Sequence, residues 1–194
     1  MVISLHLPLT EAAVRALRVG DAVTLSGRLV TGRDAVHRHL AHGAAAPLDL
    51  QGSVIYHCGP VMVPEGKGWR VTAAGPTTSG REEPYMAAVI ERLGLRGILG
   101  KGGMGPATLD ACRHFGCVYL HAVGGAAQVL ARHITAVHGV HWQAEFGAPE
   151  ALWELEVKDF PAIVTMDTHG GSLHADVLAA AAARLQALCP SPSP

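Results

Sequence analysis

Apolar positions along this chain follow two regimes. In the first third, β-branched and apolar residues form short runs set off by Gly, Pro and Asp, which predicts strands over 22–29 and 53–57. A hairpin follows, with arms over 61–63 and 69–73 joined through Pro64-Glu65-Gly66-Lys67-Gly68. Two helices interrupt these strands. Thr10 is placed to cap one over 11–17, and Thr31 with Asp34 has the outline of a capping box opening another that ends at Gly43. Beyond residue 80 the pattern alternates: helices over 82–93, 106–115 and 126–133, strands over 97–99, 117–120, 134–141, 153–157 and 162–166, and an Ala-rich helix over 175–188. Strands first and strand–helix alternation afterwards predict one layered α/β domain over 1–189 with a mixed sheet and flanking helices. The Pro-Ser-Pro-Ser-Pro segment 190–194 is expected to be disordered.

Composition narrows the partners. Fifteen basic and sixteen acidic residues leave a net charge of -1, which argues against nucleic acid or an anionic membrane as the ligand. Charged residues make up only 16% of the chain, against about 25% in an ordinary soluble domain. That shortfall predicts a face covered by another chain. No apolar run is long enough to span a bilayer, the first ten residues lack a leader pattern, and the four cysteines form no CxxC pair. A cytoplasmic protein with reduced thiols is expected.

Candidate chemistry lies in three loops that join a strand to a helix through small residues. They are Gly75-Pro76-Thr77-Thr78-Ser79-Gly80-Arg81, Gly100-Lys101-Gly102-Gly103-Met104-Gly105-Pro106 and Val123-Gly124-Gly125-Ala126-Ala127. Free N–H groups at a helix start attract anions, and glycine lets a ligand approach the backbone. The Walker pattern fails, because Leu95 and Gly102 stand where Gly and Ser or Thr are needed. Arg33 and Arg81 sit where helices begin, so each opposes the helix dipole unless a carboxylate shares its charge. A salt bridge to the neighbouring Asp34 or Glu82 is the plainer explanation of either. Lys101 is one of three lysines among fifteen basic residues and lies among glycines. His37, His39 and His42 lack metal-ligand spacing, as do the cysteines, and Ser79 and Ser172 lack an esterase elbow.

Seven segments together resemble a known family. They are Leu25-Ser26-Gly27 with Thr31-Gly32-Arg33-Asp34; Ile55-Tyr56-His57-Cys58-Gly59-Pro60; the residue 75–81 loop; Gly100-Lys101-Gly102-Gly103-Met104; Gly124-Gly125-Ala126-Ala127; the run from Trp153 to Ala162; and Asp167-Thr168-His169-Gly170. The chain resembles the beta subunit, or C-terminal domain, of class I iron–sulfur fumarases and L(+)-tartrate dehydratases. The resemblance implies a swivelling β/β/α domain and a cluster-bearing alpha subunit, paired as a heterodimer or heterotetramer. It implies that the alpha subunit alone ligates a [4Fe–4S] cluster, whose open iron binds the substrate hydroxyl and a carboxylate. On this chain it implies Arg33, Thr77, Arg81 and Lys101 as the residues that hold a small dicarboxylate. Thr77 would handle the carbon-bound proton and Lys101 would stabilise the charge that builds up. Gly32 and Gly125-Ala126 look more like fumarases, whereas the Lys101–Pro106 run and Val157-Lys158 also suit tartrate dehydratases. Fumarate/malate is favoured, with tartrate or mesaconate as alternatives and a non-catalytic carboxylate-binding module as the reading from another class.

Overall fold

Two long strands carry the architecture. The computed structural model describes residues 1–189, so the 190–194 segment lies outside the described residues. In chain order the elements are β1 (Val2–His6), α1 (Glu11–Ala16), β2 (Ala22–Thr31), α2 (Asp34–Ala41), β3 (Val54–Tyr56), β4 (Val61–Glu65) and β5 (Gly68–Ala73). After a 3-10 turn at Ser79–Arg81 come α3 (Glu83–Leu93), β6 (Gly97–Gly100), α4 (Pro106–Phe115), β7 (Val118–His121), α5 (Ala127–Ala131), β8 (Ile134–His141), α6 (Gln143–Phe146), β9 (Leu152–Met166) and α7 (Leu173–Leu188). Strands β4 and β5 form a separate hairpin. The other strands run in the order β1-β2-β3-β6-β7-β9-β8, and β9 also pairs with β2. Hydrogen bonding therefore passes from β2 through β3, β6, β7 and β9 and returns to β2. The circuit is mixed: β2, β3, β6 and β7 are parallel neighbours, and β9 is antiparallel to both β7 and β2.

Strand periodicity explains the layers. Along β3, β6 and β7 the residues Val54 and Tyr56, Leu99, and Val118 and Leu120 pack inward with Leu25, Leu29, Leu155, Phe160 and Val164. The alternating residues Ile55, Ile98 and Tyr119 point the other way, against Val36 and Leu40 of α2, Met86, Val89 and Ile90 of α3, and Cys112 of α4. These strands are buried on both faces, which is why they read as near-continuous apolar runs. Strand β2 accommodates its two partner sets through a bulge between Leu25 and Gly27. Gly27 sits at φ 117°, and a Cβ there would lie 2.9 Å from the Leu7 carbonyl oxygen.

The α/β class and mixed sheet follow the sequence expectation, with differences in detail. The runs over 153–157 and 162–166 are one fifteen-residue strand, turned at Asp159, whose φ is 50° and whose N–H donates to Ser26 Oγ. Thr10 caps α1 as expected, its Oγ1 accepting from Ala13 N. Thr31 does not cap α2. It ends β2, where its hydroxyl donates to the Ala151 carbonyl and accepts from Trp153 N, and the cap position falls to Arg33.

Phe160 is fully buried and meets the Tyr56 ring edge-on at 5.5 Å, filling the space that the β2–β9 closure encloses. Phe160→Ala is expected to cost about 3–5 kcal/mol, read as a fall in the urea midpoint. A loss well under about 1 kcal/mol would show that the barrel interior collapses around the gap.

Candidate active site

The parallel strands all end on one side, and the chemistry collects there. Arg33 follows the end of β2, His57 the end of β3, Lys101 the end of β6, and the Gly124-Gly125 turn the end of β7. Ligands of open α/β sheets bind in this position, beyond the carboxyl ends of the strands. The residue 75–81 loop joins them from the hairpin. Thr77 N and Thr77 Oγ1 both donate to the His57 carbonyl, at 2.7 and 3.0 Å. Lys101 N donates to the Thr77 carbonyl, and Ser79 N donates to the Lys101 carbonyl. Thr77 and Lys101 are thus held side by side by their backbones. The Lys101 stem lies along Gly124, where an added Cβ would meet its Cδ at 3.4 Å.

Both arginines join the same cluster. The Arg33 side chain crosses Gly59, where a Cβ would stand 3.0 Å from its Nη1, and Nη1 pairs with Glu150 Oε1 at 3.2 Å. The other Glu150 oxygen accepts from Ala35 N in the first turn of α2. Arg81 pairs with Asp34 Oδ2 at 3.6 Å, with both side chains nearly half exposed. Neither arginine takes the carboxylate next to it in sequence from its own loop. Each is bound by an acid from another element, and these pairs connect α2, the 3-10 turn and the segment before β9. Lys101 has no carboxylate partner among the described residues. The structure therefore brings together the four residues singled out from the sequence.

The family model described as the fumarase C-terminus matches residues 1–177. The chain belongs to the fumarase C-terminus family. Within it, the chain is 55% identical over 177 residues to a Geobacillus stearothermophilus protein provisionally named a class I fumarate hydratase, covering 91% of this chain and 34% of that one. The chain thus spans about a third of that relative's length. It is 40% identical over 171 residues to the L(+)-tartrate dehydratase subunit beta of Escherichia coli K12, covering 87% of this chain and 85% of the relative. A Methanocaldococcus jannaschii protein provisionally named L(+)-tartrate dehydratase subunit beta is 41% identical over 174 residues.

Several groups in this fumarase C-terminus fold escaped sequence reading. Glu150 and Asp34 act through partners remote in sequence. Behind the site lie His37, His57, Ser79 and Glu82, all fully buried. In the sequence, His57 stands out only as part of the Ile55–Pro60 segment, with no role of its own. Cysteine offers no cluster site: Cys58, Cys112 and Cys117 are buried, Cys189 is exposed, and no three His, Cys, Asp or Glu side chains gather for a metal among the described residues. This chain's own residues do not fit a [4Fe–4S] cluster.

Burial, and after it the Asp34 charge, pushes the Glu82 carboxyl up to about 7, although Arg81 and Arg33 pull it down. Neither of its oxygens has a hydrogen-bond partner among the described residues. Burial holds His37 down to about 4. It also holds His57 well below the usual histidine range, with His37 and Arg81 adding to the effect. The signs oppose. The unfolded chain ionises Glu82 from about pH 4.5, so that residue costs stability increasingly up to about pH 7 and fully above it. His37 stays neutral when folded, so its contribution is complete above about pH 6.5 and is lost as pH falls toward 4, and His57 acts in the same direction. Glu82→Gln should therefore raise the urea midpoint at about pH 8 and lose that advantage near about pH 4.5. A variant less stable than wild type at the higher pH would show that the carboxylate is satisfied.

Proposed function

We propose that this chain is the beta part of a class I iron–sulfur hydro-lyase that interconverts fumarate and malate. In this reading residues 1–189 form one cytoplasmic domain that acts with an alpha subunit, as a heterodimer or heterotetramer. The observation that carries it is the gathering of Arg33, Thr77, Arg81 and Lys101 around the backbone exchange between Thr77 and Lys101. Two guanidinium groups and an ammonium at one rim can hold both carboxylates of a four-carbon diacid, with arginine suited to bidentate capture. A substrate carboxylate would displace Asp34 from Arg81 readily, because that pair is half exposed and worth little.

Within this chain the chemistry is binding, charge stabilisation and proton handling. Arg33, Arg81 and Lys101 hold the diacid and stabilise the negative charge that develops as the proton leaves carbon. Thr77 commits its own hydroxyl proton to the His57 carbonyl, which leaves its oxygen lone pairs for the substrate. For Thr77 to take the carbon-bound proton, its own hydroxyl proton must first pass to an acid/base residue of the alpha subunit, because the His57 carbonyl accepts a hydrogen bond but not the proton. The cations beside Thr77 favour the alkoxide so formed. A [4Fe–4S] cluster held by the alpha subunit would supply the Lewis acid for the departing hydroxyl.

The surface supports a partner. Helix α7 buries none of its residues, and Leu178, Leu185 and Leu188 are each more than 60% exposed. An apolar groove between α7 and Met104-Gly105-Pro106 continues the Lys101 loop outward. An alpha subunit seated there would cover apolar surface and close over the site at once.

L(+)-tartrate dehydration is the second reading, favoured by the relatives named as separate beta subunits, and mesaconate hydration is a third. A dicarboxylate panel assayed on the chain reconstituted with its alpha subunit decides among them. Alone and anaerobic, the chain should be colourless, free of stoichiometric iron and inactive. Brown, active protein without a partner would overturn the assignment, and a complex inert on every diacid would leave a carboxylate-binding module. Arg33→Ala or Arg81→Ala should each cost about 2–5 kcal/mol in kcat/KM. Near-normal kinetics would remove that residue from the site. Lys101→Arg should lose about tenfold or more, because a planar guanidinium cannot replace a compact ammonium beside Gly124. Full activity would make the position a generic cation.

A further inference from the structure

A chain of buried hydrogen bonds passes beneath all four site residues, and its proton positions follow from its ends. The Arg33 carbonyl can only accept, so His37 Nδ1, at 2.8 Å, carries a proton. His37 is neutral, so its Nε2 is an acceptor, and His57 Nε2 at 3.1 Å must donate to it. His57 Nδ1 is then an acceptor for the Ser79 hydroxyl at 2.8 Å. Ser79 Oγ in turn accepts from the Tyr119 hydroxyl at 2.9 Å, and Tyr119 accepts from Gly103 N at 3.3 Å. With both rings neutral, every donor finds an acceptor and every tautomer is fixed by the ends of the chain.

The chain touches each loop of the site. One end is the carbonyl of Arg33 and the other is the N–H of Gly103, two residues from Lys101. In the middle, His57 offers the carbonyl that pins Thr77 twice, and Ser79 lies two residues from Arg81. The whole assembly packs over Gly100, where a Cβ would overlap Ser79 Oγ and stand 3.1 Å from Tyr119 Oη and 3.3 Å from His57 Nδ1. Glycine at this position keeps the space that the chain occupies.

We propose that His37, His57, Ser79 and Tyr119 form a positioning network that holds Arg33, Thr77, Arg81 and Lys101 in one fixed arrangement, with His57 as the positioning residue for Thr77. The network's catalytic consequence rests on the hydro-lyase reading above, whereas its tautomers and its hold on the loops do not. None of the four is expected to touch substrate. Their hydrogen bonds set where the binding groups stand, and a misplacement of about 1 Å at such groups can cost about a hundredfold in rate.

The test starts with the full chain alone. Imidazole nitrogen NMR should find the His37 proton on Nδ1 and the His57 proton on Nε2, with both rings neutral from about pH 8 to about pH 5.5. The opposite tautomer at either ring overturns the proposal. Tyr119→Phe removes one hydroxyl with almost no change in volume, and Ser79→Ala removes the central link. In both variants the amides of Thr77 and of residue 79 should exchange about tenfold faster than the fall in global stability, read from the denaturant midpoint, accounts for. Unchanged exchange in both overturns the proposal. In the complex with the alpha subunit, the same variants should lose about ten- to a hundredfold in kcat on fumarate with KM within about threefold. Wild-type kcat in both would overturn it as well. If the wild-type complex turns over no dicarboxylate, the hydro-lyase reading fails, and the tautomer and exchange results still decide the network.

Discussion

The antiparallel pairing of β2 with β9 is the constraint on which the rest of the molecule depends. It runs from Ala22 against Ile163 to Val30 against Glu154 and turns an open sheet into a closed ring. Closure satisfies the edges of five strands together and buries both faces of β3, β6 and β7. It also fixes which way the parallel strands end. Because β2, β3, β6 and β7 cannot splay apart, the loops beyond their carboxyl ends are held at fixed separations, and the three segments that carry Arg33, Thr77 with Arg81, and Lys101 meet at one rim.

The site at that rim is internally neutralised without being closed off. Glu150 serves Arg33 and the first turn of α2 together, and Asp34 serves Arg81 across two elements. These acids keep a cationic cluster tolerable when nothing is bound, and at the exposed Arg81–Asp34 pair they do so weakly. Lys101 differs. Its charge is matched by no acid among the described residues, and its loop is tied to Thr77 only through backbone bonds. In the proposed function, an arriving dianion would meet an ammonium without a carboxylate partner among the described residues and two guanidinium groups whose existing partners must yield.

Much of this was legible in the sequence, for reasons that differ by feature. Arg33 and Arg81 stood out because a cation at a helix start opposes the dipole, a local effect that needs no tertiary knowledge. Lys101 stood out by its glycine surroundings. Strand β1 was not read, because a five-residue alternation with one buried position gives little signal until β2 lies beside it. Strand β9 was read as two, because Lys158-Asp159 and Pro161 break its apolar pattern, whereas the backbone only turns at Asp159. Thr31 resembled a helix cap because its true partners, Ala151 and Trp153, lie some 120 residues away. The buried histidines were invisible for the same reason. A histidine after an apolar strand looks like a core residue until the one 20 positions away is seen to face it.

The fixed direction of that buried chain has a consequence for proton traffic. Hydrogen-bonded chains conduct protons when one end can take a proton from solvent or substrate and the other can release one. Here the ends are the amide of Gly103 and the carbonyl of Arg33, neither of which ionises at neutral pH. Reversing the chain would require both rings and both hydroxyls to change donors together, leaving the Gly103 amide without its acceptor and the Arg33 carbonyl with only the His37 backbone N–H. The row of imidazoles and hydroxyls is therefore an insulator. In the proposed reaction, protons that enter or leave the substrate would travel through the open mouth of the rim and not along this chain.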